Sequence, residues 1–165
     1  MNIVYLSLGT NLGNKLENLQ NAIHKIGTIG KVIKISSVYQ TAAWGFESDD
    51  FFNIAIALET PLTASRLIEV LLSFETELGR NRDNKTGYQA RPLDIDIIFF
   101  NDNIINTDQL TVPHPRMHDR KFVLIPMIEI TKNYKHPSLN KRLETLSADC
   151  KDTSELTQTK HILSV

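Results

Sequence analysis

The chain has 165 residues, 41% of them hydrophobic and 22% charged, with a formal net charge of −1. That is enough for one domain with a proper core and little left over, and the near-neutral balance argues against a general nucleic-acid or polyanion binder. The single cysteine, Cys150, excludes an internal disulfide and a cysteine-based zinc site, and no apolar run approaches a membrane span.

Ile3 to Leu8 is a short apolar run ending at Gly9, as expected of a buried first strand. A strand pattern at the N-terminus, in place of a signal peptide, leads us to expect a cytoplasmic protein. After the turn Gly9-Thr10-Asn11-Leu12-Gly13-Asn14, Leu16, Leu19, Ala22, Ile23 and Ile26 recur at helical spacing until Gly27 and Gly30 stop the helix. Lys31 to Tyr39 is rich in β-branched residues and predicts a second strand. Phe52, Ile54, Ile56 and Leu58 alternate in a third that ends before Pro61. Thr63 is placed to cap a second helix, with Leu67, Leu71, Phe74 and Leu78 along one stripe closed by Gly79. The segment Arg91-Pro92-Leu93-Asp94-Ile95-Asp96-Ile97-Ile98-Phe99-Phe100 is the next strand.

The order β-α-β-β-α-β predicts an α+β fold with a ferredoxin-like core, an antiparallel-rich sheet flanked by helices. Short added strands are expected at Ile104-Ile105 and Leu110-Thr111-Val112, and a further helix from about Met117 to Met127 or a little past it. From Lys141 onward the pattern is polar and weak, which predicts a peripheral tail over 141–165 of a single domain spanning 1–165.

Chemistry concentrates first in Asp94 and Asp96. Strand side chains alternate faces, so two carboxylates at i and i+2 share one face while Leu93, Ile95 and Ile97 fill the other. They could be solvated groups on an edge strand. Yet Asp is disfavoured in strands, and a like-charged pair on an apolar segment favours a hard cation such as Mg²⁺, which takes one or two carboxylates plus phosphate oxygens and water. Arg80, Arg82, Lys85 and Arg91 gather just upstream, among Asn81, Asn84, Gly87 and Gln89. Arginine's fork suits phosphate oxygens, and a polar loop over 81–90 is a candidate lid.

Other segments carry less. Glu75 either pairs with Arg80 or Arg82 or reaches a ribose hydroxyl. His114, Arg116, His118 and Arg120 cluster around two prolines; no third zinc ligand accompanies the histidines, so donors to a polyphosphate are the better reading. Gly9 to Lys15 lacks the spacing of a P-loop. Thr41-Ala42-Ala43-Trp44-Gly45-Phe46 and Phe51-Phe52-Asn53 offer aromatics that either edge the core or stack a flat heterocycle read by Asn53.

With these residues in view, the chain resembles the 6-hydroxymethyl-7,8-dihydropterin pyrophosphokinase family of folate synthesis. The likeness runs in order from Tyr5-Leu6-Ser7-Leu8-Gly9-Thr10-Asn11 through Ser36 to Thr41, Phe52-Asn53 and Glu75 to Arg80. It ends in Arg91 to Ile97 and Val112-Pro113-His114-Pro115-Arg116-Met117. The resemblance implies transfer of pyrophosphate from ATP to the pterin's hydroxymethyl oxygen, releasing AMP, with two Mg²⁺ ions on Asp94 and Asp96. It implies Arg80, Arg82, Arg91, His114 and Arg120 around the triphosphate, with Arg82 and Arg91 catalytic, and Glu75, Ile97 and Thr111 nearer the nucleoside. The pterin would lie between Phe51 and Phe122, bonded to Asn53, Thr41 and Ala42, with Trp44 beside it and Tyr88 closing over it. Ala42-Ala43, Asp83, Gln89 and Gln109 depart from the family's usual residues. A monomer without nucleic-acid or membrane partners is expected. Two rivals remain: a non-catalytic small-molecule-binding regulatory domain of ferredoxin-like fold, and an RNA-binding domain. Neither accounts for an acid pair beside four basic residues, and no RNP1-like aromatic strand is present.

Overall fold

A computed structural model describes residues 1–42, 50–79 and 93–165. Among the described residues it is a mixed α/β protein whose main sheet has six strands, all paired antiparallel. The elements are β1 (Asn2–Thr10), α1 (Lys15–Gly27), β2 (Lys31–Ile35), β3 (Tyr39–Thr41), β4 (Phe51–Thr60), α2 (Ala64–Glu77) and β5 (Asp94–Phe100). They continue with β6 (Ile105–Asn106), β7 (Thr111–Val112), a 3₁₀ turn (Met117–Asp119), α3 (Lys121–Thr131), α4 (Leu143–Asp149) and β8 (Leu156–Gln158). The strands run β5-β1-β4-β3-β8, with β2 also on β4, while β6 and β7 pair separately. No helix among the described residues is long and apolar enough to cross a membrane.

The alternation in sequence decides which face each helix covers. Val4, Leu6 and Leu8 of β1, Ile54, Ile56 and Leu58 of β4, and Leu93, Ile95 and Ile97 meet the buried stripes of α1 and α2. The opposite face is set by Ala55 and Ala57 of β4 with Ile98 and Phe99 of β5, packed on α3 and α4. A register shift against Tyr5 and Leu6 makes Ile98 the extra residue of a β-bulge, which explains why two successive residues, Ile98 and Phe99, serve the same core. Thr63 caps α2 as expected, accepting from Arg66 N–H at 3.3 Å.

Three expectations need correction. The single strand expected over Lys31–Tyr39 is two, β2 and β3. Between them Ser36 keeps one backbone bond and supplies the other from its side chain: its N–H donates to Ala55 O, while its hydroxyl accepts Ala55 N–H, both at 2.9 Å. The helix expected from Met117 is interrupted, because Arg120 is extended (φ −127°, ψ 109°) and separates the 3₁₀ turn from α3. The stretch beyond Lys141 is built in rather than peripheral. Leu143 and Leu146 are buried against α3's face, β8 adds to β3, and Gln20 of α1 exchanges hydrogen bonds with the backbone of Ser164.

Candidate active site

The α3 face of the sheet is crowded in its middle and open at one end, because the outward residues there are small. Ser7 and Gly9 of β1 form a floor between β4 and β5. Gly9 stands opposite Asn53 on one side and Asp94 on the other, and Ser7 opposite Asp96. A cavity opens over this floor. The sheet side includes Thr41, Ala42, Phe51 and Asn53 at one end and Asp94 and Asp96 at the other; Arg116, Asp119, Arg120 and Phe122 face them, with Asp152 and Ser154 from the tail. The pleat aims both carboxylates into this space, half-exposed, while their neighbours Leu93, Ile95 and Ile97 are buried behind them.

Local bonding holds each wall. Glu75 of α2 is 1% exposed and its Oε1 accepts Ile95 N–H at 2.7 Å, so a buried carboxylate grips β5 between the two aspartates. Asn53, also buried, donates from Nδ2 to Thr41 Oγ1 at 3.1 Å. Arg120's guanidinium lies 5.7 Å from the centre of the Phe122 ring, within cation–π range. His114 is tied to β5 by its N–H, which donates to Ile98 O at 3.0 Å, while Arg116 N–H donates to His114 Nδ1 at 3.2 Å. Burial first, then the Arg120 charge, push this imidazole down to about 4, with Asp94 pulling it up and Arg116 lowering it further. A neutral ring with Nδ1 accepting carries its proton on Nε2, a donor.

Of the residues expected from sequence, Thr41, Ala42, Phe51, Asn53, Asp94, Asp96, Arg120 and Phe122 come together on this cavity. Glu75, Ile97, Thr111 and His114 do not line it: Glu75 and Ile97 are buried, Thr111 is exposed, and His114 sits beside Arg120 and Asp94. Trp44, Arg80, Arg82, Tyr88 and Arg91 lie outside the described residues, as does loop 81–90. Ser7, Gly9, Asp119, Asp152 and Ser154 were not anticipated. The glycine inside an apolar strand was a usable signal of close approach; the tail residues offered none.

Paired oxygens facing arginines across an open cavity define a small-molecule site suited to a hard cation and a polyanion. No group of three or more His, Cys, Asp or Glu is placed to hold a metal among the described residues. Comparison with known proteins narrows the class. Residues 5–132 match the model of the family described as 7,8-dihydro-6-hydroxymethylpterin-pyrophosphokinase (HPPK), and the chain belongs to that family. It is similar to the 2-amino-4-hydroxy-6-hydroxymethyldihydropteridine pyrophosphokinase of Aquifex aeolicus, 38% identical over 87% of this chain and 89% of that one. The Bacillus subtilis protein of the same name is 41% identical over 78% of each. Among solved structures, an HPPK-DHPS variant of Plasmodium falciparum has a TM-score of 0.72 at 19% identity, covering 90% of this chain and 45% of that one. At that identity the structural likeness speaks for the fold.

Proposed function

We infer that this chain transfers a pyrophosphoryl group from ATP to the hydroxymethyl oxygen of 6-hydroxymethyl-7,8-dihydropterin, giving AMP and the pterin diphosphate. The observation that carries the reading is the register of the cavity floor. Asn53, Gly9 and Asp94 stand side by side on β4, β1 and β5. Strands spaced about 4.8 Å apart put a group that can read a heterocycle and a cation ligand about 10 Å apart, with only a glycine between. A flat bicycle fits across that row with its substituent toward the carboxylates.

The donor chemistry fits Mg²⁺, since two hard carboxylate oxygens with phosphate and water complete its preferred shell. Asp94 and Asp96 would hold it, and we extend this to two ions. Bound there, Mg²⁺ neutralises polyphosphate charge and aligns the groups for in-line transfer. Arg120 supplies a fork to the phosphates, and neutral His114 a directional Nε2–H that adds no positive charge. Phe51 and Phe122 clasp the pterin faces, while Asn53, Thr41 and the Ala42 backbone read its edge. Glu75, Ile97 and Thr111 are assigned nearer the nucleoside. Arg80, Arg82 and Arg91 would surround the triphosphate, with Trp44 and Tyr88 closing over the pterin. The core is proposed to be ferredoxin-like in topology, the split βαβ arrangement with the tail strand added. The protein is proposed to be a cytoplasmic monomer of one domain. A non-catalytic binding module would leave the aspartate pair without a task.

The deciding assay is Mg²⁺-dependent appearance of AMP, rather than ADP, from ATP plus the hydroxymethyl-dihydropterin, abolished by chelation. ADP as product, or no turnover with this acceptor, sinks the assignment.

Gly9 gives a second check. A Cβ there would lie 3.1 Å from Asn53 Oδ1 and 3.8 Å from Phe51 Cδ1. The amide must then yield by a few tenths of an ångström, which disturbs its bond to Thr41. Gly9→Ala is expected to raise the pterin KM about tenfold, roughly 1.4 kcal/mol, with the ATP KM nearly unchanged. Equal effects on both substrates would contradict the placement.

A further inference from the structure

Helix α3 opens without a cap of its own. Arg120, at its N-cap position, makes no side-chain bond to the helix. The bond arrives from 31 residues downstream, where Asp152 Oδ2 accepts Lys121 N–H at 3.0 Å. The other oxygen, Oδ1, accepts Ser154 N–H at 2.9 Å and the Ser154 hydroxyl. Burial alone would push the Asp152 carboxyl up, but these hydrogen bonds and the Lys121 charge outweigh it and hold the group below its ordinary range. It is ionised at neutral pH.

Two residues past Ser154 the chain enters β8, where Leu156 stands opposite Thr41 of β3. The tail therefore bridges two walls of the cavity: the Thr41 wall through β8, and the Arg120–Phe122 wall through Asp152. Both Asp152 and Ser154 line the cavity themselves, and both fall outside the 5–132 span of the family match.

We propose that Asp152 is a positioning residue: by gripping Lys121 N–H it fixes the entry of α3, and with it the Phe122 ring and Arg120 guanidinium opposite Asp94 and Asp96. The consequence for ligand affinity rests on the function inferred above, in which Phe122 touches the pterin. The grip itself does not.

The test compares Asp152→Ala with Asp152→Asn in the full chain. Asparagine keeps an acceptor for Lys121 N–H; alanine keeps none. In the alanine variant, amide exchange at Lys121 is expected to accelerate roughly tenfold and the Phe122 ring resonances to shift without ligand present, while asparagine restores most of both. Pterin dissociation constants should rise about tenfold in the alanine variant. They should rise no further when Asp152→Ala is added to Phe122→Ala, since the two then act through one ring. Unchanged Lys121 exchange and Phe122 resonances overturn the proposal. So does a loosened Lys121 with wild-type pterin affinity, which would make Asp152 a helix cap and nothing more. If the wild-type protein binds no pterin, the functional reading fails, and the exchange and ring resonances still decide the strap.

Discussion

Asp96→Asn is expected to lower the rate of AMP formation by at least about 10²-fold, roughly 2.7 kcal/mol in the barrier, without unfolding the chain. Both halves of that expectation come from the same geometry. Asp94 and Asp96 face an open cavity half-exposed, outside both hydrophobic clusters, so an isosteric amide removes no packing. It also removes one of two like charges on adjacent positions of one strand face, a repulsion worth under about 1 kcal/mol in high dielectric. The fold should therefore survive while function collapses, the signature of a group retained for chemistry rather than folding. Asp94→Asn should behave alike. Steady-state rates at saturating Mg²⁺, read beside melting temperatures, check the pair. A near-wild-type rate in either variant would remove the aspartates from the chemistry.

The facing of these aspartates was legible before any coordinates because the strand pleat leaves no choice: a period of two sends 94 and 96 one way and 93, 95 and 97 the other. The same logic made β1, β4 and the stripes of α1 and α2 readable. What escaped was decided by partners far away in sequence. Nothing local in a β-branched run announces that Ser36 will bond residue 55, 19 positions on, and so split a strand in two. Nothing within Met117–Met127 shows that the helix restarts at Lys121, whose N–H is held by Asp152. The tail looked peripheral because its apolar residues are sparse. Leu143 and Leu146 are buried all the same, since α3 leaves a surface that needs only a few leucines to cover it. For Glu75 the sequence offered a pairing with Arg80 or Arg82 or a ribose hydroxyl; buried, it also accepts a backbone N–H of the aspartate strand, a bond that only tertiary packing reveals. The basic residues from Arg80 to Arg91 remain a reading of sequence and family, since they lie outside the described residues.

Asn53→Ala separates the two substrates. Asn53 is 3% exposed, donates to Thr41 Oγ1 at 3.1 Å, and stands across Gly9 from Asp94. Its truncation removes the amide edge proposed to read the pterin and leaves the Thr41 hydroxyl without this donor, while Arg120 and the aspartate pair are untouched. Pterin affinity is expected to fall about 10²-fold, near 2.7 kcal/mol, because a site built around polar pairing loses most when a partner is missing. Stability should drop by only about 1–2 kcal/mol, and ATP affinity should stay within about twofold. Asn53→Asp, of nearly equal shape, should be no better, since it keeps the volume but loses the donor and places a charge in a buried position. Calorimetric titration of each ligand against both variants distinguishes the cases. Parallel losses for ATP and pterin would mean that the cavity has collapsed rather than lost a reader, and intact pterin binding would move the heterocycle away from β4.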